Sequence, residues 1–239
     1  MIETLTATGS TNADVVLRLA RSEGFAEGHW LITDRQSAGR GRQGREWFDG
    51  SGNFMGSTVV HPRSGDPPRP SLALVAGLAV HDAVSRRLPP PARAVLKWPN
   101  DVMIGAAKLA GILLEGAGEA VVIGIGVNLA AAPPVPGRET AALAMYGPAP
   151  DRDAFALDLA ATFAAGLERW RSYGLAATLS RWSAAAHPPG TPLSVGEAGE
   201  IPLSGEFAGL DDSGALLLRL ADGTTRTIHA GEVRFAGRA

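Results

Sequence analysis

Three arginines threaded through three glycines, Gly39-Arg40-Gly41-Arg42-Gln43-Gly44-Arg45-Glu46-Trp47, stand in a chain of 239 residues whose formal net charge is only -2. Guanidinium groups present planar forks of donors that suit phosphate and carboxylate, and glycine lets backbone approach a ligand closely. The segment reads as an anion-binding loop or as an arginine-rich solvated turn. Its Gly-x-Gly-x-x-Gly spelling invites a dinucleotide-binding reading, which requires a strand before it and a helix after it. Residues 34–38 separate the loop from the expected strand at Trp30–Thr33, and Arg45-Glu46-Trp47-Phe48-Asp49-Gly50 continues as a turn. A Gly-x-x-x-x-Gly-Lys-[Ser/Thr] motif is absent as well. Any phosphates bound here would be held by arginine side chains rather than by a helix N-terminus.

Four further blocks are polar or glycine-rich where a plain fold would not need them. Ser10-Thr11-Asn12 precedes an amphipathic stretch, Ala13–Ser22, so one of the three can serve as its N-cap. Lys97-Trp98-Pro99-Asn100-Asp101 follows a short strand stopped by proline, where Asn100 and Asp101 either face a cleft or close an Asx turn. Lys108 stands directly before an apolar strand, with Gly111 three residues on. Its ammonium can sit over a phosphate or snorkel to solvent. Gly124-Ile125-Gly126-Val127-Asn128 ends another strand, and glycines there mark either a close approach to the backbone or a bulge.

The elements that must hold these blocks can be read from hydrophobic periodicity. Strands are expected at Trp30–Thr33, Phe54–Val60, Val95–Trp98, Ala110–Glu115 and Ala120–Val127, the last two as a central hairpin. Helices are expected at Ala13–Ser22, Ser71–Leu88, Arg152–Tyr173 and Leu175–Ala186, with a proline-rich connection over 133–150. Beyond His187-Pro188-Pro189-Gly190 the texture changes to short strands at Leu203–Ala208, Ala215–Leu220 and Thr225–His229. That tail predicts a small β-barrel. At roughly 50 residues it would be marginal alone and should pack on an α+β main domain.

Composition excludes several classes. With 22 Lys and Arg against 24 Asp and Glu there is no bulk electrostatic footprint for nucleic acid. Cysteine is absent, so disulfides, thiolate nucleophiles and thiolate metal sites are ruled out. The five histidines are scattered without metal-ligand spacing, so no metal site is assigned. Neither a signal peptide nor an apolar run near the ~20 residues of a membrane span is present. A cytoplasmic protein is expected, with no membrane partner.

Taken together and in this order, the five blocks resemble the catalytic domain of biotin protein ligases. The match rests on Ser10–Asn12, Gly39–Trp47, Lys97–Asp101, Lys108-Leu109-Ala110-Gly111-Ile112-Leu113 and Gly124–Asn128, and the tail resembles by texture the family's SH3-like C-terminal domain. The resemblance implies an α+β fold with a mixed, largely antiparallel sheet, divided into a catalytic domain at 1–188 and an SH3-like domain at 189–239. It implies that biotin and MgATP give biotinyl-5′-AMP and pyrophosphate, and that a lysine of a biotin carboxyl carrier or carboxylase acceptor domain then displaces AMP.

By the same resemblance Lys108, assisted by Arg42, would offset the repulsion between carboxylate and α-phosphate. Asp101 would help deprotonate the acceptor lysine, or bind Mg²⁺ through water. Ser10, Thr11, Asn12, Gln36, Gly39, Arg40, Gly41, Lys108, Gly111 and Ile112 would line the biotin site. Arg40, Arg42, Trp47, Asn100, Lys108 and Asn128 would lie at the nucleotide. The arginine loop would close over the adenylate. Only nine residues precede Ser10, so no DNA-binding winged helix is expected, although a homodimer through sheet extension would fit the family. A lipoate-type ligase is the nearest rival. A non-catalytic biotinyl-adenylate binder and a nucleic-acid module are others, and an intact Lys108 and the balanced charge argue against both.

Overall fold

Glycine and small polar residues interrupt otherwise apolar strands on one face of a seven-stranded sheet, and that interruption creates a cleft. The computed structural model of the chain describes residues 1–196 and 201–236. Its large sheet comprises β1 (Ile2–Leu5), β2 (Trp30–Thr33), β3 (Phe54–Val60), β4 (Ala94–Lys97), β5 (Asp101–Ile104), β6 (Ala107–Ala117) and β7 (Ala120–Val127). The spatial order is β1-β2-β3-β7-β6-β5-β4, with β1 and β2 parallel and every other pair antiparallel.

Period-two alternation assigns the two faces. Leu31, Val59 and Val122 pack with Val15 of α1 (Thr11–Ala20) on one side. Trp30, Phe54, Val60, Ile123 and Ile125 join the larger core on the other, beneath α2 (Leu72–Ser85) and α3 (Arg152–Ala185). Ser10 caps α1 as expected, accepting from the Ala13 N–H at 3.5 Å. The two helices expected over 152–186 form one element broken at Gly174, whose φ of 73° and ψ of -172° lie outside helical space. Glycine there permits the break.

Within this sheet, strands β1 and β5 were not foreseen, and neither were the tail strands at Pro192–Gly196 and Glu232–Phe235. β5 begins one residue after the Pro99-Asn100 pair, which reads in sequence as a turn followed by nothing regular. Lys108 also lies inside β6 rather than before it, at a register shift opposite Val102 and Met103.

The C-terminal segment folds as a second antiparallel sheet, β11-β10-β9-β8-β12, from β8 (Pro192–Gly196), β9 (Leu203–Leu210), β10 (Leu216–Arg219), β11 (Thr225–Ile228) and β12 (Glu232–Phe235). Of the tail expected at 189–239, residues 197–200 and 237–239 lie outside the described residues. Leu193, Phe207, Leu216, Leu218 and Val233 share the core containing Trp182 and Leu96, so the two sheets have one continuous interior. The Trp98 indole N–H donates to Gly214 O at 3.0 Å and reinforces that junction. Among the described residues no helix is long and apolar enough to cross a membrane.

His187 lies buried at the same junction, edge-on to Phe207 and Phe235, and its Nδ1 has no hydrogen-bond partner among the described residues. Burial, and to a smaller extent the Lys97 ammonium, lowers its pKa from 6.5 to about 4. Between those values the unfolded chain binds a proton that the folded chain does not. Stability is therefore lost as pH falls through this window, by up to roughly 1.4 kcal/mol per pH unit. His187→Phe should flatten the dependence of Tm on pH between 7 and 5. An unchanged slope would show that His187 does not carry this acid sensitivity.

Candidate functional site

One row of cross-strand neighbours runs Lys97, Asp101, Gly111, Gly126, Met55. The next row runs Leu113, Gly124, Ser57, Leu31. Glycine at the middle of each row leaves the sheet surface hollow, and the hollow is the floor of a cleft of about 1240 Å³. A methyl group added at Gly126 would lie 2.2 Å from Trp47 Cε2, and one at Gly111 would lie 3.0 Å from Trp47 Cζ3. One added at Gly124 would lie 2.4 Å from Asn12 Oδ1. The glycines thus seat the Trp47 indole and the Asn12 amide against bare backbone.

Asp101 is the electrostatic centre. Its Oδ1 lies 2.5 Å from Lys108 Nζ and its Oδ2 lies 3.1 Å from Lys97 Nζ, with all three side chains largely buried. Burial alone would favour the neutral acid, but the Lys108 and Lys97 ammoniums outweigh it and hold the carboxyl well below the usual carboxylate range. Burial also lowers the Lys108 ammonium, against the raising effect of Asp101. A carboxylate held in this way is a weak base. Asp101 stands here as a counter-ion that fixes two ammoniums in the cleft.

The arginine segment is a closed hairpin. Trp47 N donates to Gly39 O, Gly41 N donates to Arg45 O, and Arg40 bridges Glu46. Its tip turns through Gln43 and Gly44, both at positive φ. Arg42 donates to Asn100 Oδ1 at 3.2 Å and to Gly231 O at 3.5 Å. Arg45 reaches Glu232 at 2.5 Å, and Arg138 reaches the same carboxylate at 2.7 Å. Burial opposes the charge on Glu232, but Arg45 and Arg234 hold its pKa below the ordinary value. The C-terminal sheet thereby clasps both the hairpin and the 133–140 connection. Arg40 stays exposed at the cleft wall.

At the far end, Gln36 Oε1 accepts from Thr11 N at 2.9 Å and lies 3.1 Å from Thr11 Oγ1. Ser10, Thr11, Asn12, Gln36, Gly111 and Ile112 all reach the cleft. Gly39 contributes backbone behind it, meeting Gln36 and Trp47. The two asparagines expected near a nucleotide are engaged with protein. Asn100 Nδ2 donates to Ile112 O at 2.7 Å while its oxygen receives Arg42. Asn128 Nδ2 donates to Ala141 O at 3.0 Å. Both line the cleft, but their side chains fix the walls.

Several contributors carry little or no signal in the sequence. Lys97 sits in the Lys97–Asp101 block with no chemistry of its own evident there. Ser57 interrupts an apolar strand, and its parity with Val59 was the available signal. Glu232 and Arg138 carried none, because they meet only through the approach of two distant segments.

The model of the biotin/lipoate A/B protein ligase family matches residues 6–128, and that of the biotin protein ligase C terminal domain matches 195–235. A biotin--[acetyl-CoA-carboxylase] ligase of Paracoccus denitrificans is 41% identical, covering 98% of this chain and 100% of the relative. One from Mycobacterium tuberculosis is 37% identical over 97% of this chain and 88% of its own length. Among solved structures, the biotin protein ligase from Aquifex aeolicus in complex with biotin and ATP aligns with a TM-score of 0.85 over 98% of this chain and 99% of that one. Its 24% identity speaks to the fold alone. With a family model matched over residues 6–128 and a relative 41% identical over 98% of this chain, this chain belongs to the biotin/lipoate A/B protein ligase family.

Proposed function

We propose that this chain activates biotin with MgATP to biotinyl-5′-AMP and transfers the biotinyl group to a lysine of a biotin carboxyl carrier or carboxylase acceptor domain. The observation that carries the reading is Lys108 held by Asp101 in the cleft floor, within a chain alignable end to end with the Paracoccus ligase. In the first step a biotin carboxylate oxygen bonds to the α-phosphorus and the bond to pyrophosphate breaks. Two anions must approach, and a fixed ammonium lowers that barrier without reorganising as charge develops. Lys108 takes this role, with Arg42 and Arg40 at the phosphates. In the second step an uncharged lysine amine attacks the acyl carbon, the bond to AMP breaks, and the amine nitrogen gives up its proton to solvent.

Ser10, Thr11 and Gln36 would hold the biotin ring, and Trp47 would close the cleft over the reacting anhydride and exclude water. Mg²⁺ would enter on the triphosphate. It keeps several waters and needs few protein ligands, and among the described residues no group of three histidines or carboxylates is arranged to hold a metal. The division at 1–188 and 189–239, a cytoplasmic site of action and a homodimer belong to the same proposal.

Two tests separate this reading from its rivals. Purified protein should release pyrophosphate only when biotin, ATP and Mg²⁺ are all present; release with lipoate but not biotin would reassign the substrate. Gly126→Ala should raise the KM for biotin and ATP by about 5–100-fold, because the added methyl displaces the Trp47 indole and overpacking of this kind costs about 1–3 kcal/mol. Unchanged constants would remove Trp47 from the closed site.

A further inference from the structure

Behind the cleft wall a chain of short hydrogen bonds leads from Glu115 to Thr11. Glu115 Oε2 accepts from Asn12 Nδ2 at 2.6 Å, Asn12 Oδ1 accepts from Ser57 Oγ at 2.6 Å, and Ser57 Oγ lies 2.7 Å from Thr11 Oγ1. Asn12, Ser57 and Thr11 are all buried. Glu115 stands on the same face as Leu113 and Gly111, one row beyond Gly124, whose missing side chain leaves room for the Asn12 amide.

Proton counting gives this chain a direction. An ionised carboxylate has only acceptors, so Glu115 dictates that Asn12 turns its NH₂ toward it and its oxygen toward Ser57. Ser57 has one hydroxyl proton and places it on Asn12. At the Thr11–Ser57 contact Thr11 must then be the donor. Its one proton is spent on protein acceptors, Ser57 Oγ at 2.7 Å and Gln36 Oε1 at 3.1 Å, the latter also accepting the Thr11 backbone N–H. Thr11 lines the cleft, and its hydroxyl oxygen can meet a ligand there only as an acceptor.

We propose that Glu115 is a positioning residue that sets the hydrogen-bond polarity at Thr11, so that the cleft accepts a ligand N–H at that point and rejects a bare oxygen. The inference rests on the biotin reading, since the ureido ring of biotin carries such N–H groups. Glu115 and Ser57 do not line the cleft; they act through Asn12 and Thr11. A site built around a buried hydrogen bond discriminates strongly against an analogue that cannot make it, because its polar group is left unpaired.

The test is calorimetric titration of the full chain with biotin and with the two carbamate analogues in which one or the other ureido N–H is replaced by oxygen. The parent protein should prefer biotin to one of the two analogues by about 10–100-fold or more. Glu115→Leu should weaken biotin about 10–100-fold and shrink that preference to a few-fold, whereas Glu115→Gln, whose amide oxygen can still accept from Asn12, should retain both. Ser57→Ala cuts the chain at its middle with a small residue and should shrink the preference in the same way. In each variant the KM for ATP should stay within about threefold of the parent. A parent-like preference in Glu115→Leu or Ser57→Ala would overturn the proposal, and so would a Gln variant as impaired as the Leu variant. If Glu115→Leu does not fold, Ser57→Ala and Glu115→Gln still decide the matter. Failure of the parent to bind biotin would instead overturn the proposed function.

Discussion

Replacing Lys108 with alanine is expected to slow biotin-dependent pyrophosphate release by about 10²–10³-fold, the loss typical of removing one preorganised group that meets charge developing in a transition state. The ammonium is fixed 2.5 Å from Asp101 and held in the floor of the cleft before any substrate arrives. Because its interaction strengthens as carboxylate and phosphate approach, kcat and kcat/KM should fall together. A rise in KM alone would assign Lys108 to ground-state binding. The variant should also be less stable. Removing one member of a buried ion pair commonly costs about 3–5 kcal/mol, but here Lys97 remains 3.1 Å from Asp101 and should limit the loss. A cooperative melt at a lowered Tm, with catalysis lost well below that temperature, would separate chemistry from folding.

Arg42→Gly should produce a leaking enzyme. Arg42 ties the hairpin tip to Asn100 and to Gly231 of the C-terminal segment, and is proposed to reach the adenylate from the same position. Charge-assisted hydrogen bonds contribute about 1.5–3 kcal/mol each, so losing them should speed release of biotinyl-AMP by about 10–100-fold. The reactive anhydride would then label lysines of bystander proteins in solution. Mass spectrometry of a bystander such as serum albumin checks this: labelling should exceed that by the parent at least about tenfold. Labelling no greater than the parent's would show that the hairpin does not retain the intermediate.

Local pattern revealed much of the fold. Apolar runs placed β2, β3, β4, β6 and β7 within a residue or a few of their observed limits, and Gly174 marked the break in α3 correctly. β1 escaped because it mixes polar with apolar residues, and β5 because it emerges from a turn whose proline and asparagine dominate the signal. Ser10, Gln36, Arg42, Asp101 and Lys108 were expected at one site, and they do line or border one cleft. Their division of labour was harder to see. Nothing in Lys97–Asp101 says that the carboxylate lies between two ammoniums, because Lys108 reaches it only through the bulged pairing of β5 with β6. Nor does any pattern in Gly124–Asn128 reveal that the glycines accommodate an indole and an amide from distant segments. The Glu232 clasp is a tertiary event joining β12 to residues far earlier in the chain.

On the proposed function, this cleft makes an acyl-adenylate and passes its acyl group to a protein lysine. Incubating the purified chain with biotin, MgATP and a biotin carboxyl carrier domain, and weighing the carrier by intact-mass spectrometry, tests it most directly. The carrier should gain the mass of one biotinyl group on its acceptor lysine, and only when biotin and MgATP are both present. A carrier of unchanged mass, from a preparation that binds biotin and melts cooperatively, would contradict it.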